Sequence, residues 1–354
     1  MSLAERTTMR AMRLHPDGQG ASLRLEYDVP VPRPSSGEVM IKVRACGLNQ
    51  VDLLTRQGEM PKDVPLPHIS GTEVAGEIAV LGEGVTGWAV GAPVVVDPIL
   101  SCGHCHACIT GNTNMCRTSR VFGVQTQGGY AQFAAVPARQ LHAIPEGLGY
   151  AEIAAIAVTG PTAWHMLRRR ADIRVGEDVL IIAGGSGIGV LGIQIAKLAG
   201  ARVIATAGSE AKMRAALELG ADHVVNHSQE GWAREVRAMT GGKGVDLVFE
   251  HVGEATWEGS LQALARGGRL VTCGGHSGFD VKINLWHLFV KEQTLIGSFA
   301  GSRQDFLDVM RLAERSQLKQ VVQEIVSFED LPRAQEMLRE RRVFGKLVLD
   351  PWAG

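Results

Sequence analysis

The chain predicts a mostly antiparallel β domain followed by a doubly wound parallel α/β domain, and three observations carry that expectation. With 354 residues, it exceeds the size at which one core usually stops growing, so two domains are expected. From Met9 to about Ala157, short apolar alternations are broken by Gly and Pro. From Val158 onward, apolar strand-length runs alternate with helix-length segments, the rhythm of a parallel sheet with crossover helices.

In the first part, GEVMIKVRA, GEIAVLGEGV, GAPVVVDP and GGYAQFAAVPA each read as a strand bounded by turn residues. In the second, EDVLIIAGG reads as a strand, IGVLGIQIAKLAG as a helix, ARVIATA as a strand, SEAKMRAALELG as a helix and ADHVVN as a strand. A helix through EGWAREVRAMTGG, a strand in GVDLVFEHVG, a helix in TWEGSLQALARGG and a strand in RLVTCGG continue the alternation. Gly220, Gly241 and Gly267 stand where these helices are expected to stop. After TLIGSFAG, a helix, the strand-like VVQEIVSFED, a second helix and GKLVL are expected to return to the first domain. The expected boundaries are therefore 9–157, 158–300 and 301–354. The opening MSLAERTT is polar and unpatterned, either a frayed terminus or a remnant of expression.

Lys and Arg number 36 against 37 Asp and Glu. That balance gives no electrostatic footprint for nucleic acid or an anionic membrane, and leaves a small-molecule substrate as the expected partner. No apolar run is long enough to cross a bilayer, so a soluble cytoplasmic protein is expected.

Six cysteines occur, and four of them, Cys102, Cys105, Cys108 and Cys116, fall in one run at spacing C-x2-C-x2-C-x7-C. Four thiolates at that spacing can surround one tetrahedral zinc and leave no open coordination position, so the predicted ion is structural, one per chain, in a loop over 102–116. Two local disulfides are the competing reading, which the two-residue spacings strain. His104 and His106 lie between filled ligand positions and are read as exposed loop residues.

After the first strand of the α/β part comes Gly184-Gly185-Ser186-Gly187-Ile188-Gly189, directly before a helix. Glycines there permit a tight turn and close approach of a pyrophosphate to the positive helix end, so Gly184, Ser186, Gly187, Ile188 and Gly189 are expected to hold a dinucleotide. A literal G-x-G-x-x-G also runs through Gly187, Gly189 and Gly192, but Gly192 then lies one turn into the helix. An acidic residue at the end of the second strand would accept the ribose hydroxyl of NAD; this chain has Ala207-Gly208-Ser209, then Lys212 and Arg214. Without a carboxylate to repel a phosphate, NADP(H) is expected over NAD, with Ser209 and Lys212 as contacts. The competing reading is a Ser209 helix cap and a solvated Lys212.

The cysteine cluster, the dinucleotide turn and their order resemble medium-chain zinc-binding dehydrogenases, in the quinone oxidoreductase-like branch. The resemblance covers essentially the whole chain from Met9, including GLNQVDLLTRQG, PHISGTEVAGEI, NTNMC, GGYAQF, TAWHML, GVDLVFEHVG, GGRLVTCGG and FGKLVL. It implies a GroES-like β domain joined to a Rossmann domain, with the nicotinamide between them. It also implies that Thr162, Val252, Gly253, Cys273, Gly274, Ser298 and Lys346 contact the cofactor, a surface lysine being the other reading of Lys346. Homodimers or homotetramers are implied as well, pairing near TLIGSFA.

Zinc alcohol dehydrogenases of this family hold a second, catalytic zinc through a Cys, a His and another Cys or an acid. The G-x-C-x-x-D motif appears here as Gly47-Leu48-Asn49-Gln50-Val51-Asp52, and G-H-E as Gly71-Thr72-Glu73. The third ligand falls near Val158. Asp52 and Glu73 remain as hard oxygen donors unsuited to such a zinc, so the catalytic ion is expected to be missing. An acceptor that is already electrophilic is then the easier substrate, as the resemblance also implies: NADPH-dependent reduction of a quinone or an enone. Asn49 is expected to hydrogen-bond the oxygen where charge grows, or else to tie a strand end to a loop. Asp52 and Thr72 complete the expected catalytic group, with Asp52 and Glu73 also readable as a structural pair with Arg56.

His68, His165, His251, His276 and His287 are candidate proton donors or scaffold residues. Cys46 and Cys273 read as small buried residues. Trp286 and Phe289 line the substrate or pack in a helical core. An alcohol or aldehyde dehydrogenase of the zinc type, and a non-catalytic NADPH-binding sensor or scaffold, are the alternative functions.

Overall fold

A computed structural model describes residues 6–18, 20–59 and 64–353. The chain forms two compact units, one of residues 1–158 and 302–354, the other of residues 159–301. Each boundary falls one residue beyond the one expected from sequence. Part of MSLAERTT and residues 60–63 lie outside the described residues.

The first unit is built on a seven-stranded sheet. Its central strand, Glu38–Gly47, pairs antiparallel with Glu73–Leu81 on one side and with Lys346–Leu349 on the other. Seven of its ten residues are buried, including neighbours in sequence such as Val39, Met40 and Ile41, because the strand is covered on both faces. In register, Gly47 stands opposite Glu73 on one neighbour and opposite Val348 on the other. That register brings the ends of three distant segments together, and Gly47 is what allows it. A Cβ at Gly47 would overlap the Glu73 carboxylate. The returning segment is helix Arg303–Glu314, strand Val322–Val326, helix Leu331–Arg339 and strand Lys346–Leu349, the last two strands parallel at the sheet edge.

Helix Gln50–Gln57 leaves the central strand immediately. Asn49 is its N-cap residue, and the Asp52 carboxylate reaches back to accept the Asn49 N–H at 2.8 Å. The helix stops at Gly58, whose φ of 71° suits glycine.

The second unit holds a six-stranded parallel sheet. Its strands in chain order are Asp178–Ile181, Arg202–Ala207, His223–Asn226, Val245–Glu250, Leu264–Thr272 and Thr294–Gly297, and their spatial order is 3-2-1-4-5-6. This is the doubly wound dinucleotide-binding topology. Gly220 and Gly241 follow helix ends, as expected. Gly267 does not: its helix, Glu254–Ala263, ends four residues earlier, and Gly267 sits within strand Leu264–Thr272, at φ 68° where the pairing with Val245–Glu250 slips. The run of ARGG looked like a helix end because small and charged residues are common there; the ladder to the neighbouring strand overrode that preference. Among the described residues, no helix is long and apolar enough to cross a membrane.

Candidate active site and metal centre

Three groups of side chains carry chemistry, two in the first unit and one in the second. The cysteine quartet follows strand Ile99–Leu100 and is closed by Arg120–Val121, which pairs with it. The four Sγ atoms lie within 4.8 Å of one another, with Cys102 to Cys108 at 3.8 Å and Cys105 to Cys108 at 3.5 Å. A tetrahedron of sulfurs about 2.3 Å from zinc has edges of about 3.8 Å, so the residues fit that ion. All six cysteines are free thiols, which removes the disulfide reading. Backbone hydrogen bonds from His104 and Cys105 pull the Cys102 thiol down to about 5, favouring the thiolate that a metal needs. Arg303 fastens the lobe to the returning segment, its N–H donating to Thr113 Oγ1 at 2.8 Å and its guanidinium to the Arg139 carbonyl.

In the second unit, Ser186 caps helix Gly187–Leu198 and accepts the Gly189 N–H at 2.9 Å. A Cβ at Gly189 would overlap the Ala183 carbonyl, whereas one at Gly192 would only touch the Phe249 ring at 3.3 Å. Gly189 therefore serves the turn and Gly192 serves helix packing, as the earlier register implied. Ser186 Oγ also lies 3.3 Å from His251 Nε2, which is 2.9 Å from the Ile182 carbonyl. Burial drives His251 down to about 3, so the imidazole is neutral and scaffolds the turn. His68 is likewise buried against the Gly123 carbonyl.

Gly184 packs between Ala205 and Ile193. Val252 is buried, and Gly253, at φ 93°, would press a Cβ to 2.5 Å from the Gly278 carbonyl. Gly274 stands against the His251 carbonyl, Ser298 donates its N–H to the Thr272 carbonyl at 2.8 Å, and Thr162 is buried in helix Thr159–Trp164. Cys273 is pushed up to about 12 by burial and is no reactive thiol. Ser209 does cap helix Glu210–Glu218 through the Lys212 N–H at 3.4 Å, and Lys212 is half-buried rather than fully solvated. Sequence reading missed that His227 and Ser228 flank Gly208, near 3.4 Å and 3.3 Å of its Cβ direction; they follow strand His223–Asn226, and only the strand order places them there. Trp286 and Phe289 are 64% and 61% exposed and stacked edge to face, so they are not helical core.

The third group gathers at the end of strand Glu38–Gly47. Asn49 Nδ2 donates to Thr72 Oγ1 at 3.2 Å, and Asn49 Oδ1 accepts from the Lys346 ammonium at 2.7 Å. Lys346 also donates to the Leu48 carbonyl and forms an ion pair with Glu73 Oε2 at 2.8 Å. Both members of that pair are buried, at 3% and 0% exposure. Glu73 Oε1 in turn accepts the Val158 N–H at 3.0 Å. Thus positions 49, 72, 73 and 158, scattered in the sequence, are stitched together around one ammonium.

Two expectations are corrected by this network. Lys346 is buried and so is not the surface lysine of the competing reading: its ammonium donates to Leu48 O and Asn49 Oδ1 and is ion-paired with Glu73. Arg56 does not pair with Asp52 or Glu73; its guanidinium donates to Gln335 and to the Ala21 carbonyl instead. Asp52 accepts the Tyr130 hydroxyl at 2.7 Å and the Gly71 N–H at 3.3 Å besides the Asn49 N–H. Burial holds its carboxyl up at about 6, and burial also raises the Tyr130 hydroxyl, so Tyr130 donates. Asp52 and Thr72, each 1% exposed, are enclosed by protein and orient the loop; Asn49 alone of the three expected catalytic residues is partly exposed. Cys46 is buried beside them, its thiol pushed well up.

Residues 35–146 match the alcohol dehydrogenase GroES-like domain and residues 187–315 the zinc-binding dehydrogenase domain. An NAD-dependent alcohol dehydrogenase of Sulfolobus acidocaldarius is 34% identical over 351 residues, covering 96% of this chain and 99% of that protein. The chain is a medium-chain dehydrogenase/reductase. It is thereby an oxidoreductase of that superfamily, whose two-domain fold it shares. A quinone oxidoreductase of Rattus norvegicus is 30% identical, covering 96% of this chain and 97% of that one. A crystal structure of an NAD-dependent alcohol dehydrogenase is 41% identical with a TM-score of 0.92, covering 98% of this chain and 100% of that one.

Proposed function

We propose that this oxidoreductase reduces a quinone, or an alkene conjugated to a carbonyl, with NADPH, using no metal at the acceptor oxygen and one zinc in the cysteine quartet. The observation that carries the reading is the Lys346 ammonium, 2.7 Å from Asn49 Oδ1 and 2.8 Å from Glu73 Oε2. A cation of the protein's own is already paired with Glu73, Asp52 is taken up by Tyr130, Gly71 and Asn49, and neither thiolate nor imidazole is offered at positions 49 and 72. A bound nicotinamide supplies the hydride. Asn49 donates from Nδ2 to the acceptor oxygen, while Asp52 and Thr72 hold the loop that carries it. NADPH is favoured because Ala207-Gly208-Ser209 offers no carboxylate, and Lys212, His227 and Ser228 surround the same strand end.

Metal analysis and turnover test the reading together. One zinc per chain, with NADPH oxidised by quinones or enones, supports it. Two zincs per chain, or alcohol-dependent reduction of NAD⁺ abolished by chelators that spare the fold, would replace it with the zinc-type alcohol or aldehyde dehydrogenase. The relative named an NAD-dependent alcohol dehydrogenase favours that second reading.

A second copy of the chain is the proposed partner. Strand Thr294–Gly297 ends the parallel sheet with one side unpaired, and Leu285, Trp286, Phe289 and Phe299 beside it in sequence are more than half exposed. Sedimentation of the wild type as a dimer or tetramer, and of Trp286→Glu as a smaller species, is the expected result; a monomeric wild type would refute it.

A further inference from the structure

We propose that Lys346 is a positioning residue for hydride transfer, fixing the Asn49 amide so that its Nδ2 protons, and not its carbonyl, face the acceptor oxygen. This rests on the reductase reading above and deepens it. An ammonium has three donors and no acceptor. Here two of those donors go to Leu48 O and Asn49 Oδ1, and Glu73 Oε2 holds the ammonium as an ion-pair partner at 2.8 Å, so the oxygen end of the amide points toward Lys346. The nitrogen end must then point away. One of its protons goes to Thr72 Oγ1, and among the described residues no acceptor receives the other. Asn49 is half-buried, whereas Lys346, Glu73 and Thr72 are buried, so that second proton belongs to the part of the network a substrate can reach.

The consequence is chemical. When hydride from the nicotinamide adds to the β-carbon of an enone, the alkene π pair moves between the α-carbon and the carbonyl carbon, the carbonyl π pair moves onto oxygen, and the enolate so formed is protonated at the α-carbon by water. Charge grows on the oxygen, and a fixed N–H polarised by a neighbouring cation stabilises it without reorganising. A free asparagine amide rotates and presents either end with equal ease. Lys346, locked in turn by Glu73 and the Val158 N–H, removes the wrong orientation.

The test uses full-length enzyme, NADPH and methyl vinyl ketone, with three variants: Asn49→Ala, the charge-balanced pair Lys346→Met/Glu73→Gln, and all three changes together. The pair variant removes both buried charges at once, so that it folds. We expect it to lower kcat by about 100-fold with the KM for the ketone and the Kd for NADPH within about threefold. In the Asn49→Ala background the pair should change kcat by less than about threefold, because the donor that Lys346 orients is already gone. Fully multiplicative losses, or a loss confined to NADPH affinity, would overturn the proposal. A second readout needs no turnover. The side-chain amide resonances of Asn49, identified by their absence in Asn49→Ala, should be dispersed in the wild type and collapse toward free-amide positions in the pair variant; unchanged resonances would also overturn it. An enzyme inert to quinones and enones would sink the reductase reading, while the amide resonances still decide the role of Lys346.

Discussion

Replacing Lys346 by Met leaves the Glu73 carboxylate with no cation at 0% exposure, and this asymmetry sets the size of the effect. The ion pair is worth little as a net contribution, because taking both charges from water offsets most of their attraction. Breaking it is another matter: one unpartnered charge in that position costs about 3–5 kcal/mol. The methionine stem fills the space of the lysine chain, so lost packing adds little. At about 2–4 °C per kcal/mol for a domain of 150–250 residues, the midpoint of thermal unfolding should fall by roughly 6–20 °C. Glu73→Gln alone should fall comparably, since it strands the ammonium. The double variant should sit within about 2 kcal/mol of the wild type, because Gln retains an oxygen for the Val158 N–H and no charge is left behind. Urea unfolding of the zinc-loaded protein measures all four corners of this cycle. Single variants within about 1 kcal/mol of the wild type, or a double variant as unstable as the two singles combined, would refute the argument that Lys346 and Glu73 are a closed buried pair.

The other structural claims are open to equally direct measurement. Asp52 titrates at about 6 when folded against an ordinary 3.8, so the folded state binds that proton more tightly; its contribution is greatest at low pH and falls by about 3 kcal/mol as pH rises through both values. The stability difference between the wild type and Asp52→Asn should shrink by roughly 2.4 kcal/mol from pH 4 to 7, and a flat difference would show that burial does not perturb this carboxyl. Cys116→Ser should drop bound zinc from one per chain to near none and expose the 102–116 lobe to protease, while affinity for the nicotinamide cofactor, whose proposed glycine turn is in the other unit, stays unchanged; retained zinc would disprove the quartet. Gly189→Ala should weaken NADPH binding by at least roughly tenfold, since its Cβ overlaps the Ala183 carbonyl, whereas Gly192→Ala should stay within about threefold. Equal losses calorimetrically would mean that the turn register is wrong.

Much of the fold was legible because periodicity is a local property. Strand and helix alternate along the second unit at a pitch that admits little else, and the quartet of cysteines lies within fifteen consecutive residues. Gly267 misled because a helix stop and a strand irregularity both call for the same positive φ, which only the neighbouring ladder distinguishes. The site was harder. Asn49, Asp52 and Thr72 were found by their place in motifs, but Tyr130 was invisible until Gly71 and Cys46 were seen packed against it. Lys346 and Glu73 are separated by hundreds of residues and meet because both neighbours of strand Glu38–Gly47 are in register at Gly47. The hydrophobic pattern constrains the register of each strand, but which distant strands pair is decided only by tertiary packing.

An ammonium is not a small zinc, and the difference constrains what the site can reduce. A metal binds the substrate oxygen directly and takes up its growing charge as a Lewis acid. Lys346 is buried and donates to Leu48 O and Asn49 Oδ1, so in the proposed reading its charge reaches the substrate through the Asn49 amide. One amide N–H supplies about 2.7–4 kcal/mol of selective stabilisation. That suffices where conjugation spreads the charge over carbon and oxygen, and falls short where a saturated carbonyl concentrates it on one atom. Methyl vinyl ketone should therefore be reduced with a kcat/KM at least about 100-fold above that of butan-2-one, a comparison in which the size and polarity of the two ketones are nearly matched. Comparable rates on the two would mean that something stronger than an amide stands at the acceptor oxygen, and the assignment of the cation at this site to Lys346 would fall with it.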